Sequence, residues 1–167
     1  MLCPDATREG AEQLAQRLCE KVAAHDFTGQ GARIDASVVS GDVRVERMHG
    51  EVSAASVSGA VSVTSAGINR AQLSSVSGEV EYSGALAETG VYELSTVSGS
   101  ARLIVHGAAK ATYDLETTAG GSIDNSFGPE PRRKSEYGPG MTLRFNEGEG
   151  AEVRMDTVSG ELVLDRK

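Results

Sequence analysis

Leu73-Ser74-Ser75-Val76-Ser77-Gly78-Glu79-Val80-Glu81-Tyr82 decides the fold, because its pattern returns along the chain. Its tripeptide recurs at Val39-Ser40-Gly41, Val57-Ser58-Gly59, Val76-Ser77-Gly78, Val97-Ser98-Gly99 and Val158-Ser159-Gly160, and a degenerate copy, Thr118-Ala119-Gly120, precedes the last. Successive glycines lie 18, 19, 21, 21 and 40 residues apart. A period near twenty belongs to stacked arrays, in which each repeat is too thin to bury its own core and only its neighbours can cover it.

The columns around the tripeptide extend the repeat. Seven residues before each glycine stand Ile34, Val52, Ala71, Tyr92, Tyr113 and Val153; five before stand Ala36, Ala54, Leu73, Leu94, Leu115 and Met155. After it, the second position holds Val43, Val61, Val80, Ala101 and Leu162, and the fourth holds Val45, Val63, Tyr82, Leu103 and Leu164. The residue between them is mostly polar, so this segment alternates with the period of a strand buried on one face. Each repeat therefore reads as strand, glycine corner, strand and return, with Gly41, Gly59, Gly78, Gly99, Gly120 and Gly160 as structural corner glycines. Gly50, Gly67 and Gly84 mark the other corners. The valines two before the glycine are expected to form one more internal ladder. Stacked aliphatic columns suit a chain with 4% aromatics and no tryptophan.

The expected architecture is all-β: a right-handed parallel β-solenoid, its hand taken from the general crossover preference. Residues 31–167 form the solenoid of a single domain, and residues 1–30 form an N-terminal helical cap and linker. Ala11, Leu14, Ala15, Leu18, Cys19 and Val22 make a helical apolar stripe, with Thr7 as N-cap. Laid over the first coil, such a helix would cover an open hydrophobic end. Between Gly120 and Gly160, the proline-rich segment 128–140 reads as a loop, and Met141 to Phe145 and Ala151 to Thr157 read as strands. One irregular coil, or a hairpin closing the C-terminal end, accounts for them. Asp165-Arg166-Lys167 reads as a charged stop at that end.

Net charge −8 argues against a nucleic-acid partner, since phosphate neutralisation needs a basic face. No run is long and apolar enough to span a bilayer, and residues 1–26 lack the apolar core of a secretory signal. Read literally from Met1, the chain is expected in the cytoplasm. Cys3 and Cys19 make no disulfide framework, and the sequence does not say whether they pair.

The chemistry-bearing residues are sparse. Glu79 and Glu81 flank an inward Val80 and share a face about 7 Å apart, a separation that suits an inverting glycosidase. Arg102, one coil on in the column of Glu81, favours a cross-strand ion pair worth about 0.2–1 kcal/mol instead. His25, His49 and His106 have no partner at ligand spacing, and Asp114, Glu116, Asp124 and Asn125 do not reproduce a calcium loop. No catalytic, cofactor or metal residue is assigned. With Val inward, Ser56/Ser58, Ser75/Ser77, Thr96/Ser98 and Thr157/Ser159 would make outward hydroxyl rows of the kind an ice-binding or glycan-binding face uses. The columns five and two before the glycine, however, are out of period-2 phase. A bend between them would turn the residue three before the glycine inward, as a hydroxyl column hydrogen-bonded along the stack.

The copies Ala36-Ser37-Val38-Val39-Ser40-Gly41-Asp42-Val43-Arg44-Val45 and Tyr92-Glu93-Leu94-Ser95-Thr96-Val97-Ser98-Gly99, with the closing Asp156-Thr157-Val158-Ser159-Gly160-Glu161-Leu162-Val163-Leu164, resemble a bacterial family of unknown function that carries an adhesin label. The resemblance runs from about Gly31 to Lys167. It implies a β-solenoid, an exported or cell-envelope location and no agreed catalytic residues. The short helix departs from the signal and leading strands that the resemblance implies at the N-terminus. The expected role is a non-enzymatic structural or interaction module, a monomer or small homo-oligomer with a protein or glycan partner. A carbohydrate-active β-helix enzyme is the alternative.

Overall fold

The computed structural model describes residues 32–108, 110–133 and 139–167. The expected helical cap and linker, residues 1–30, with Cys3, Cys19 and His25, lie outside the described residues. Among the described residues there are fourteen strands and no helix, hence none long and apolar enough to cross a membrane. The strands are β1 (Ala32–Ser40), β2 (Val43–Glu46), β3 (His49–Ser58), β4 (Val61–Thr64), β5 (Gly67–Ser75), β6 (Val80–Gly84), β7 (Val91–Thr96), β8 (Ser100–Val105), β9 (Ala111–Thr117), β10 (Ser122–Asn125), β11 (Arg132–Arg133), β12 (Met141–Asn146), β13 (Ala151–Thr157) and β14 (Glu161–Arg166).

Each repeat contributes one strand to each of two sheets, and the repeats stack in parallel. The larger sheet has the order β1-β3-β5-β7-β13-β9-β12-β11 and the smaller β10-β14-β8-β6-β4-β2. Registers hold the sequence columns together: Ala54 pairs with Leu73, Leu73 with Leu94, Leu94 with Met155, and Met155 with Leu115. The core lies between the sheets. It takes the columns seven and five before the glycine from one side, and two and four after it from the other. In the first coil Ile34, Ala36 and Val38 are half-buried and pack against that core.

Three expectations are corrected here. The coils do not stack in the order they are written. The last one, β13–β14, enters between β7–β8 and β9–β10, so β14 is flanked by β8 and β10 and is no charged stop at an edge. The strands expected at Met141 to Phe145 and Ala151 to Thr157 form neither an irregular terminal coil nor a hairpin with each other, although β11 and β12 pair antiparallel at the end of the larger sheet. Instead β12 runs antiparallel on the outer side of β9, and the chain then crosses β9 to place β13 parallel on its inner side. Nor is the interior purely aliphatic: Tyr82, Tyr92 and Tyr113 are its largest fully buried side chains. Their rings are accommodated because their hydroxyls or edges find partners. Tyr92 Oη donates to the Ile68 carbonyl at 2.6 Å, accepts from the Ala87 N–H at 2.8 Å, and its ring meets Tyr82 edge-on at 5.1 Å.

A fourth correction concerns the valines. Among the described residues, Val39, Val57, Val76, Val97 and Val158 are the exposed large hydrophobics, at 75, 47, 47, 45 and 43%. No bend intervenes on the strand. Period-2 alternation simply continues, turning inward the residue three before each glycine and outward the residue after it. Ser56, Ser75, Thr96, Thr117 and Thr157 are consequently buried. The Ser56 and Ser75 hydroxyls donate to the Gly41 and Gly59 carbonyls of the preceding coil, at 3.3 and 3.4 Å. Thr96 and Thr157 have buried hydroxyls without a partner.

The glycine column has a packing cause more than a conformational one. A Cβ on Gly59, Gly78, Gly99 or Gly160 would lie 2.1, 2.1, 2.0 or 1.8 Å from the carbonyl oxygen of Gly41, Gly59, Gly78 or Gly99 respectively. Coils are so close at this corner that only a hydrogen fits. Gly120 stands differently. It sits at φ +85° with nothing nearer than 3.9 Å, while Gly121 takes the ladder position against the Gly160 carbonyl at 2.4 Å. The degenerate coil thus carries one extra residue at its corner.

Candidate functional site

The outward face of the larger sheet is the candidate site, because it gathers polar side chains into a groove and borders them with the valine row. Alternation aims Ser53, Gln72, Glu93, Arg154, Asp114 and Arg144 outward from adjacent strands, in register. Along this row Gln72 Nε2 donates to Glu93 Oε2 at 3.2 Å, and Arg144 Nε donates to Asp114 Oδ1 at 2.8 Å. Two residues on, a parallel row runs Ser37, Ala55, Ser74, Ser95, Asp156, Glu116. Between the two rows lies a shallow groove of about 460 Å³, lined by Ser53, Gln72, Ser74, Glu93, Ser95 and Asp156 among others. A second hollow of about 310 Å³ continues it past Arg154 and Asp156 to Asp114, Glu116 and Thr118.

Acidic groups collect where the grooves meet. Burial raises the Asp156 carboxyl above its ordinary value; Arg154, 3.7 Å away, pulls it back, and Glu116 and Glu93 add to the rise. This end of the groove therefore holds a carboxyl that ionises reluctantly among two others.

Two residues further along each strand is the valine row, in the order Val39, Val57, Val76, Val97, Val158 and then Thr118. The corner serines Ser40, Ser58, Ser77 and Ser98 lie exposed beyond it. Over the first four coils, then, an apolar stripe runs between two rows of small uncharged residues. About a quarter of the chain is charged, yet none of that charge falls on these three rows until Asp156.

The residues singled out in the sequence are scattered. Glu79 is exposed before β6, and Glu81 lies on the outward face of the smaller sheet, away from the groove. Glu81 is in register with Arg102, but among the described residues no ion pair joins them, and that expectation is corrected. His49 is exposed with its ring against Gly67, and His106 is exposed with Nε2 3.1 Å from Ser83 Oγ. Asp114 and Glu116 point from β9 into the groove, whereas Asp124 and Asn125 are on β10 in the other sheet. Among the described residues, no three His, Cys, Asp or Glu side chains are grouped to hold a metal ion.

Sequence reading missed Gln72, Glu93, Arg154 and Asp156, because they become neighbours only once the coils are ordered. The signal for the valine row was present. Ser and Thr three before the glycine kept strict strand phase with the apolar columns, which places Val outward.

The far end of the stack is closed by aromatic packing. Tyr113 stacks on Phe145 at 4.7 Å and meets Phe127 edge-on at 5.6 Å. The Arg166 guanidinium lies 4.2 Å from the centre of the Phe127 ring and pairs with Glu147 at 2.7 Å.

Neither a curated protein nor a solved structure matches the chain significantly. The Toastrack DUF4097 family model matches residues 22–165, spanning both sheets, and the chain belongs to that family, a domain of unknown function.

Proposed function

We propose that this protein is a non-enzymatic interaction module, adhesin-like and of the bacterial cell envelope, that meets its partner on the outward face of the larger sheet. The observation that carries the reading is the valine row. Five β-branched side chains that strand phase turns to solvent, where the other large apolar groups among the described residues are buried or half-buried, form a contiguous apolar stripe of the kind that marks contact surfaces. Rigid stacking of the coils pre-organises that stripe, so little ordering opposes contact.

The groove favours a second reading, glycan binding. Its amide, hydroxyl and carboxylate groups offer hydrogen bonds to sugar hydroxyls in a register fixed by the strands.

Envelope fractions and a glycan array, probed with the wild-type chain and two double variants, test both readings. The first reading expects Val76→Asp/Val97→Asp to abolish retention on envelope material while Glu93→Gln/Asp156→Asn leaves it intact. The opposite pattern, with array binding, transfers the function to the groove. A wild-type chain retained on neither material overturns the envelope assignment.

A further inference from the structure

The valine row has a geometric property that narrows what can cover it. Its side chains repeat once per strand, about 4.8 Å apart, the spacing fixed by backbone hydrogen bonding. Extended peptides repeat same-face side chains at about 6.8 Å, so they drift out of step within two residues. A surface built from stacked parallel strands has the same pitch, and the valine-bearing face of this chain is such a surface. From this match we infer that the valine row is a self-contact: it receives the same row of a second copy of this chain, the two related by a two-fold axis. The inference rests on the reading of that row as a contact surface and names its occupant.

Charge decides the relative direction. Asp156 and Glu116 lie at one end of the flanking row, while the other end carries Ser37 and Ala55. Two copies side by side in the same direction would bring Asp156 against Asp156. In opposite directions, the acidic end of each row lies over Ser37 of the other copy, and Arg154 of each lies over Asp35 of the other. The two-fold axis then passes through Val76, the third of the five valines. Val57 faces Val97 of the other copy, and Val39 faces Val158. Small flanking residues let the two backbones approach to about 10 Å, the spacing at which β-branched side chains interdigitate.

Area sets the strength. The row and its serine flanks cover roughly 20 by 15 Å, or about 300 Å² per copy, against the roughly 800 Å² per partner of a standard stable complex. The contact is therefore weak and reversible in free solution, and strengthened where copies are concentrated, as at a surface. With net charge −8 on each copy, screening by salt favours it.

Sedimentation equilibrium of the purified chain over about 5 to 500 µM brackets a contact of this size. The expected result is a mass that rises with concentration and with salt, and that stays monomeric for Val76→Asp. Direction is read by cysteine cross-linking in a Cys3→Ser/Cys19→Ser background. Val76→Cys should cross-link to itself. A mixture of Val57→Cys and Val97→Cys should cross-link about tenfold faster than either alone, since only that pair is held at contact. A monomer across the whole range, or equal cross-linking at every position, overturns the self-contact. Should that happen while the valine variants still lose envelope retention, the interaction-module reading stands and only its occupant is wrong.

Discussion

The first four coils and the last two are built from the same columns but assembled under different rules. From β1 to β8 each coil lies on the one before it, and sequence order is spatial order. From β9 onward the chain skips a place, builds the end of the stack, and returns to fill the gap with β13 and β14. The difference teaches what repeats specify. Parallel coils with like columns are interchangeable neighbours, so the repeat fixes the form of a coil and leaves its position open. Position is set by what breaks the repeat. Phe145 stacked on Tyr113, the added corner residue before Gly121, and the strand β12 that seals β9 suit an end of the stack, whereas the intact Val158-Ser159-Gly160 coil suits its middle.

The sharpest way to break that comparison is at the corner ladder. Gly160→Ala drives a Cβ to 1.8 Å from the Gly99 carbonyl oxygen and 2.8 Å from Thr157 Oγ1, at the coil that joins the two parts. The Gly99 backbone cannot yield, so the loss should exceed about 4 kcal/mol, enough to prevent folding. Gly41→Ala meets nothing within 4 Å and bears only its unfavourable φ of +133°, about 1–2 kcal/mol. Urea melts of the two variants decide the matter. Equal losses would mean that backbone conformation, not stacking distance, selects these glycines.

Inside and outside are compared within a single strand and its corner. Leu94→Ala opens a cavity in a fully buried column and should cost about 3 kcal/mol. Val97→Asp, three residues away, should cost little more than about 0.5 kcal/mol, because its side chain already faces water. A large loss for Val97→Asp would return the valines to the core.

This pair also marks how far the sequence could be read. Alternation and spacing carried the all-β architecture and the inward columns on both sides of the corner. The inward Ser/Thr column conflicted with the expectation that Val belongs inside, and strand phase was the better guide because a hydroxyl three before the glycine can donate to the carbonyl of the preceding coil. The groove was illegible for another reason. Arg154 joins Glu93 and Asp114 only after the last coil has been inserted, and the end coil it is inserted against is marked by the contacts of Tyr113 with Phe127 and Phe145, two residues that lie outside the repeat.

The hydroxyl column gives a finer contrast. Thr117 Oγ1 accepts the Met141 N–H at 2.9 Å and donates to the Gly121 carbonyl at 3.3 Å, fastening β12 to the end coil. Thr117→Val should destabilise by about 1–2 kcal/mol through an orphaned, part-buried N–H. Thr157→Val, with the same change of shape, removes a buried hydroxyl that has no partner and should be neutral or stabilising. Equal losses in thermal unfolding would show that the Thr157 hydroxyl is satisfied in solution.

The smallest effect is the most direct probe of the groove. Burial, Glu116 and Glu93 hold the Asp156 carboxyl above its ordinary value despite Arg154. The folded chain thus binds this proton more tightly than the unfolded chain does. The resulting contribution to stability is full below the unfolded value and is lost as pH rises through the folded one. Asp156→Asn removes the titration. The variant should match the wild type near pH 3 and exceed it at neutral pH, by less than about 0.5 kcal/mol since the side chain is half exposed. A variant weaker than the wild type at neutral pH would reverse the balance. The contact with Arg154 would then outweigh the two neighbouring carboxylates, and the groove would be a neutralised surface instead of an acidic one.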